Sequence, residues 1–186
     1  MAVLFKNVRY LTPDFQVQEG FVGVQGRDIA YLGADEPPEA AAYDMVIEGR
    51  GKLLLPGLVN THTHLPMTLL RGYGENLSLQ DWLFTRIFPF EAKLTSEAIY
   101  WATKLALAES LRFGVTSCTD MYMDVNAICR AVDETGCKIN ADLMGPVGCD
   151  DTHEQPFAGA AAALREWHGR DEGRILLDSY IHAEYT

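Results

Sequence analysis

Two histidines one residue apart, His62 and His64, stand in the segment Asn60-Thr61-His62-Thr63-His64. In extended backbone, residues i and i+2 point to the same face, so the two imidazoles are expected to meet at one point in space. Two neutral imidazoles placed this way can chelate a borderline-soft divalent ion such as Zn2+. So short a pattern also arises by chance, and its weight depends on the element that carries it. A carboxyl end of a parallel-sheet strand would be the informative place, because such sheets gather their ligands there. The remaining histidines are less suggestive by position: His153 lies in a polar loop, His168 at a helix end and His182 just after a strand candidate. By composition alone Glu91 reads as a solvated acid near Lys93, and Trp82 as ordinary core packing.

The elements that must hold these residues fall into two patterns. Residues 3–5, 21–24, 29–32 and 45–48 are short β-type runs, separated by turn chemistry at Thr12-Pro13-Asp14, Gly26-Arg27-Asp28 and Gly33-Ala34-Asp35. They predict a small antiparallel β unit, interrupted by an exposed loop over residues 36–42. Beyond Gly51 short apolar strands alternate with longer helical segments, the signature of βα units on a parallel sheet. Strands are expected over 53–61, with a bend at Pro56-Gly57, and over 115–120, 138–144 and 174–181. Helices are expected over 95–113, 125–135 and 158–167; the first is capped by Thr95 or Ser96 and ended by Gly114, the second ended by Gly136. The first helix carries Ile99, Ala102, Ala106, Glu109 and Phe113 at helical spacing, and its buried face is expected to centre on Leu105 and Leu111. Four such strands with right-handed crossovers make half of an eight-stranded barrel.

Composition narrows the function classes. The 186 residues, 48% of them hydrophobic, suffice for a packed core, and 15 Lys plus Arg against 26 Asp plus Glu leave a net charge of -11. A nucleic-acid backbone would meet a repulsive field. The apolar stretches fall short of the roughly 20 residues that cross a bilayer, and residues 1–10 lack a signal-peptide core, so a soluble, cytoplasmic protein without a membrane partner is expected. Cys118, Cys129, Cys137 and Cys149 have neither redox-pair nor zinc-knuckle spacing and are expected as reduced thiols.

The segment Leu54-Leu55-Pro56-Gly57-Leu58-Val59-Asn60-Thr61-His62-Thr63-His64 resembles the strand-one signature of the amidohydrolase superfamily. Its continuation through Pro66-Met67-Thr68-Leu69-Leu70-Arg71-Gly72, Leu77-Ser78-Leu79-Gln80-Asp81-Trp82-Leu83, Phe88-Pro89-Phe90-Glu91, Gly114-Val115-Thr116 and Asp120-Met121-Tyr122 is similar to the branch holding methylthioadenosine/S-adenosylhomocysteine deaminases and chlorohydrolases. The resemblance implies an α/β fold in which residues 1–52 form part of a small β-sandwich domain and residues 53–186 the first half of a (β/α)8 TIM-type barrel. It implies one divalent metal, usually zinc, held in part by His62 and His64, with water activated for attack on an electron-poor ring carbon. Ammonia, or chloride in a dechlorinating relative, then leaves. Glu91 would accept hydrogen bonds from ribose hydroxyls, Trp82 would wall the same pocket, and His182 would contact a heteroatom of a small heteroaromatic substrate.

Two departures from the family pattern shape the expectation. Where enzymes acting on S-adenosylhomocysteine offer an arginine to the substrate carboxylate, the nearest match is Met144, and the loop over residues 149–154 is acidic. A thioether cannot pair with a carboxylate, which favours a neutral or cationic substrate. The family's proton-shuttling groups and remaining metal ligands are expected beyond Thr186, so no catalytic residue is assigned within the chain. The 186 residues alone are expected to be inactive, to hold zinc weakly, and to form a homo-oligomer or pair with the missing half, because half a barrel leaves strand edges open. A binding or assembly module is the reading from a different class.

Overall fold

The computed structural model describes residues 1–143 and 155–180. The chain divides into two compact units, Met1–Pro56 and Gly57–Thr186.

The first unit is a five-stranded sheet of β1 (Ala2–Leu11), β2 (Val17–Gln25), β3 (Asp28–Gly33), β4 (Met45–Glu48) and β5 (Leu53–Leu54). The Thr12 turn closes the β1–β2 hairpin: the Thr12 hydroxyl accepts from the Gln16 nitrogen at 3.0 Å. Val8, Tyr10 and Val22 form its small core, with Phe5 and Leu54 against them. The expected antiparallel unit is in fact mixed. β1–β2 and β2–β3 pair antiparallel, but β4 and β5 run parallel to β1. The reason is the loop after β3, which contains a 3-10 turn at Ala40–Ala42 and carries the chain across to the far side of β1, giving the order β3-β2-β1-β4. A crossover returns a strand in the direction of its neighbour, whereas a hairpin reverses it.

The strand expected over residues 53–61 is two strands. β5 belongs to the first sheet, and β6 (Leu58–Thr63) opens a second, with Leu55-Pro56-Gly57 between them. Pro56 has no N–H to give a ladder, and a Cβ at Gly57 would collide with the Thr116 side chain.

The second sheet is entirely parallel, β6-β7-β8-β9, with β7 (Val115–Asp120), β8 (Lys138–Asp142) and β9 (Ile175–Asp178). Its helices are α1 (Leu79–Trp82), α2 (Phe88–Glu91), α3 (Ser96–Arg112), α4 (Val125–Thr135) and α5 (Gln155–Trp167). Helix α5 begins three residues before its expected start. Thr95 caps α3 by accepting from the Ala98 nitrogen, and Asp124 caps α4 by accepting from Ala127. Gly136 ends α4 in the left-handed region, at φ 74°. Alternation along the strands puts Cys118, Ile139, Ala141, Ile175 and Leu177 into the core with Leu107, Ile128 and Val132 from the helices. Polar Asn140 and Asp178 lie on the opposite face, joined by a 2.7 Å hydrogen bond.

The buried face of α3 is not where the spacing placed it. Ile99, Ala102, Thr103 and Leu107 are buried, while Leu105 is 56% and Leu111 48% exposed. At 100° per residue Leu105 points about 160° away from Leu107, so one helix cannot bury both against a single sheet. The three described cysteines, Cys118, Cys129 and Cys137, are free thiols in the core, as expected; Cys149 lies outside the described residues.

Candidate metal centre and substrate-facing residues

His62 is the penultimate residue of β6 and His64 immediately follows the strand, and their ring centroids are 5.0 Å apart at an interplanar angle of 81°. Simple alternation does not produce this convergence. Between Asn60, which pairs with Cys118, and Thr63, which pairs with Asp120, the register shifts, so Thr61 and His62 together oppose Thr119. Such bulges re-aim side chains beside functional sites. At His64 the backbone then leaves the strand (φ -131°, ψ 74°) for a 3-10 segment, Leu65–Leu70.

His64 is held by the end of β7. Its Nδ1 lies 2.5 Å from the Met121 carbonyl oxygen. A carbonyl accepts only from N–H, so this contact puts the proton of a neutral ring on Nδ1 and the lone pair on Nε2, the tautomer a metal ligand needs. The residues flanking His64 are tied down as well. Asp120 Oδ1 accepts from the Leu65 nitrogen at 2.6 Å and lies 2.8 Å from the Thr63 hydroxyl, which is also 2.8 Å from the Thr119 carbonyl. The Met121 nitrogen donates to the Thr63 carbonyl at 3.0 Å.

Asp120 is fully buried. Burial pushes its carboxyl up to about 7, against the downward pull of the Leu65 and Thr63 hydrogen bonds, and Asp142 adds to the rise. Its Oδ2 is buried with no hydrogen-bond partner among the described residues, which accounts for the direction.

Glu91 ends the short helix α2 after a π-helical turn, Leu83–Ile87. It is not merely a solvated acid near Lys93, because the Tyr122 hydroxyl donates to its Oε1 at 2.7 Å. Tyr122 is buried, and its ring lies 6.3 Å from that of His64. Burial first, and the Glu91 bond second, raise the phenol above its ordinary range, so it stays protonated and donating. Trp82 is half-buried in α1; its indole N–H donates to the Tyr73 carbonyl at 3.3 Å, and a Cβ at Gly74 would press on its ring. The structure therefore joins His62 with His64, and His64 through Tyr122 with Glu91. His182, His153 and Met144 lie outside the described residues. His168 is engaged with β9, where the Leu177 nitrogen donates to its Nδ1 at 3.1 Å.

The supporting residues Asp120, Met121 and Tyr122 carry no assigned role in the sequence reading. Their signal was present in part: a carboxylate ends β7, the strand that pairs with the one carrying His62. Among the described residues no group of three or more metal-ligating side chains gathers, so His62 and His64 supply half of a tetrahedral shell.

A parallel βα sheet with convergent imidazoles at the carboxyl end of its first strand defines the class, an α/β barrel-type protein with a candidate metal centre. The profile of the amidohydrolase family matches residues 53–186, and the chain belongs to that family. It is 39% identical over 170 residues to a 5-methylthioadenosine/S-adenosylhomocysteine deaminase of Syntrophomonas wolfei, covering 91% of this chain and 39% of that protein. The zinc-bound structure of an adenosine deaminase from Xanthomonas campestris superposes with a TM-score of 0.81 at 27% identity, covering 95% of this chain and 42% of that one. An atrazine chlorohydrolase from Arthrobacter aurescens, also with zinc, shares the fold at a TM-score of 0.79 and 20% identity, over 95% of this chain and 46% of its own. The chain thus spans less than half the length of each of these proteins, and its parallel sheet corresponds to the N-terminal portion of their barrel.

Proposed function

We propose that this chain is the N-terminal part of a metal-dependent aminohydrolase that deaminates a purine-like or other heteroaromatic amine. The observation that carries the proposal is the pair of imidazoles, 5.0 Å apart, with the His64 tautomer set by Met121. The donor set fits zinc: two adjacent imidazoles, one of them oriented by a backbone carbonyl. When bound, a divalent ion supplies the Lewis acidity that makes water nucleophilic near neutral pH. His62 and His64 hold it, while Asp120 and Met121 keep His64 in place. Glu91 accepts hydrogen bonds from substrate hydroxyls, and Trp82 forms an apolar wall. His182 is proposed as the contact to a substrate heteroatom. In the reaction, water adds to the electron-poor amidine carbon and ammonia departs, with proton transfer by groups outside these 186 residues.

Family membership and the named deaminase and zinc-bound relatives support this reading. A neutral or cationic substrate is supported by the acidic composition of residues 149–154 and by Met144, the nearest match where the family resemblance implies an arginine. Among the described residues no helix is long and apolar enough to cross a membrane. By itself the chain is proposed to associate, through its open strand edges, with a second copy or with the remaining barrel segment; a clean monomer by light scattering would count against this.

The test is substrate profiling of the full-length protein. Ammonia released from adenosine or methylthioadenosine supports the proposal. Chloride released from a chlorotriazine without any ammonia would move the assignment to the dechlorinating relatives. The isolated 186-residue chain is expected to show no turnover; robust activity that His62→Ala abolishes would overturn that expectation.

A further inference from the structure

We infer that Tyr122 is a positioning residue, orienting the Glu91 carboxylate beside the His62–His64 pair so that it can accept hydrogen bonds from the vicinal hydroxyls of a ribose. The inference deepens the nucleoside reading above and rests on it. Glu91 is the last residue of a continuous helical run made of α1, the π-helical turn Leu83–Ile87 and α2, and the last turn of a helix frays. A carboxylate there needs an anchor from another element if it is to hold one direction. Tyr122 provides it from just beyond β7: the ring is 4% exposed, and its hydroxyl is 2.7 Å from Glu91 Oε1.

Two features argue against simple packing. A phenylalanine would fill the same space, whereas a buried phenol requires a partner, and Glu91 is that partner. The same ring lies 6.3 Å from the His64 ring, so one rigid side chain faces both the metal ligand and the carboxylate. The hydroxyl takes one lone pair of Oε1. A carboxylate has about four such acceptor sites, so both oxygens can still receive the two hydroxyls of a diol, in a plane that Tyr122 has set.

The experiment compares wild-type and Tyr122→Phe full-length enzyme on adenosine and on 2′,3′-dideoxyadenosine. Loss of a hydrogen bond to a charged group predicts a roughly tenfold higher KM for adenosine, with kcat nearly unchanged and with no change in KM for the dideoxy compound. In a Glu91→Ala background, Tyr122→Phe should change the adenosine KM no further, as expected for two residues acting through one interaction. Equal effects on both nucleosides, an additive effect in the Glu91→Ala background, or no effect would each overturn the inference. If the wild-type enzyme turns over neither nucleoside, the substrate reading fails. The crystal structure of the Tyr122→Phe enzyme then decides separately: a displaced Glu91 carboxylate supports positioning, and an unmoved one overturns it.

Discussion

The backbone nitrogen of Leu65 donates to Asp120 Oδ1 at 2.6 Å, a hydrogen bond between residues 55 positions apart that fixes the chain immediately after His64. Replacing Asp120 by alanine would leave the Leu65 donor buried without an acceptor, at a cost of about 1–3 kcal/mol. Groups that orient a metal-ligating histidine are worth about 10- to 100-fold in metal affinity. Asp120→Ala in the full-length protein should therefore lower both the unfolding free energy and the zinc affinity, the latter read by competition with a chelator. Unchanged zinc affinity would remove Asp120 from the support of His64.

His62→Ala and His64→Ala should each reduce bound zinc in the full-length protein, because each removes one of two convergent nitrogens. Elemental analysis after dialysis measures this. A full complement of zinc in both variants would place the metal elsewhere.

Within α3 the structure separates two leucines that composition cannot. Leu107 is 1% exposed, and its replacement by alanine should cost about 2–5 kcal/mol in urea denaturation of the 186-residue chain. Leu105→Ala in the same chain should stay within about 0.5 kcal/mol. Comparable losses at both positions would restore the face that the spacing suggested.

Cys129 is completely buried, and burial, with smaller contributions from Asp120, Glu166 and Asp133, pushes its thiol up to about 12. The folded state thus keeps this proton at pH values where the unfolded chain, with an ordinary thiol near 9, loses it. The associated stability is whole below about pH 9 and is lost as pH rises toward 12. At pH 8 iodoacetamide should modify Cys129 only on unfolding. Rapid labelling of this residue in the native protein, mapped by mass spectrometry, would contradict the packing.

Much of this organisation was legible because local rules act locally. Thr95, Asp124 and Gly136 bracket their helices through caps that need only neighbouring residues. The parallel sheet followed from the alternation of strand and helix. The histidine pair was legible as a motif, but its convergence depends on a bulge at Thr61-His62, and register belongs to a pair of strands and not to one of them. The same limit hid the parallel pairing of β4, which depends on where the loop after β3 lands, and the roles of Asp120, Met121 and Tyr122, which arise from contacts across 31 to 57 positions.

The clamp around His64 also imposes an order in time on biosynthesis. Thr63, His64 and Leu65 leave the ribosome more than fifty residues ahead of the Asp120 and Met121 groups that orient them. A nascent chain that has not yet added β7 to β6 carries both imidazoles but neither the set tautomer nor the anchored turn. Closing that long loop has an entropic cost that the β6–β7 ladder must meet first. On the proposed metal role of His62 and His64, ordered capture would fall downstream of sheet assembly, and a translational pause before residue 115 would hold the histidines in a form that binds metal loosely.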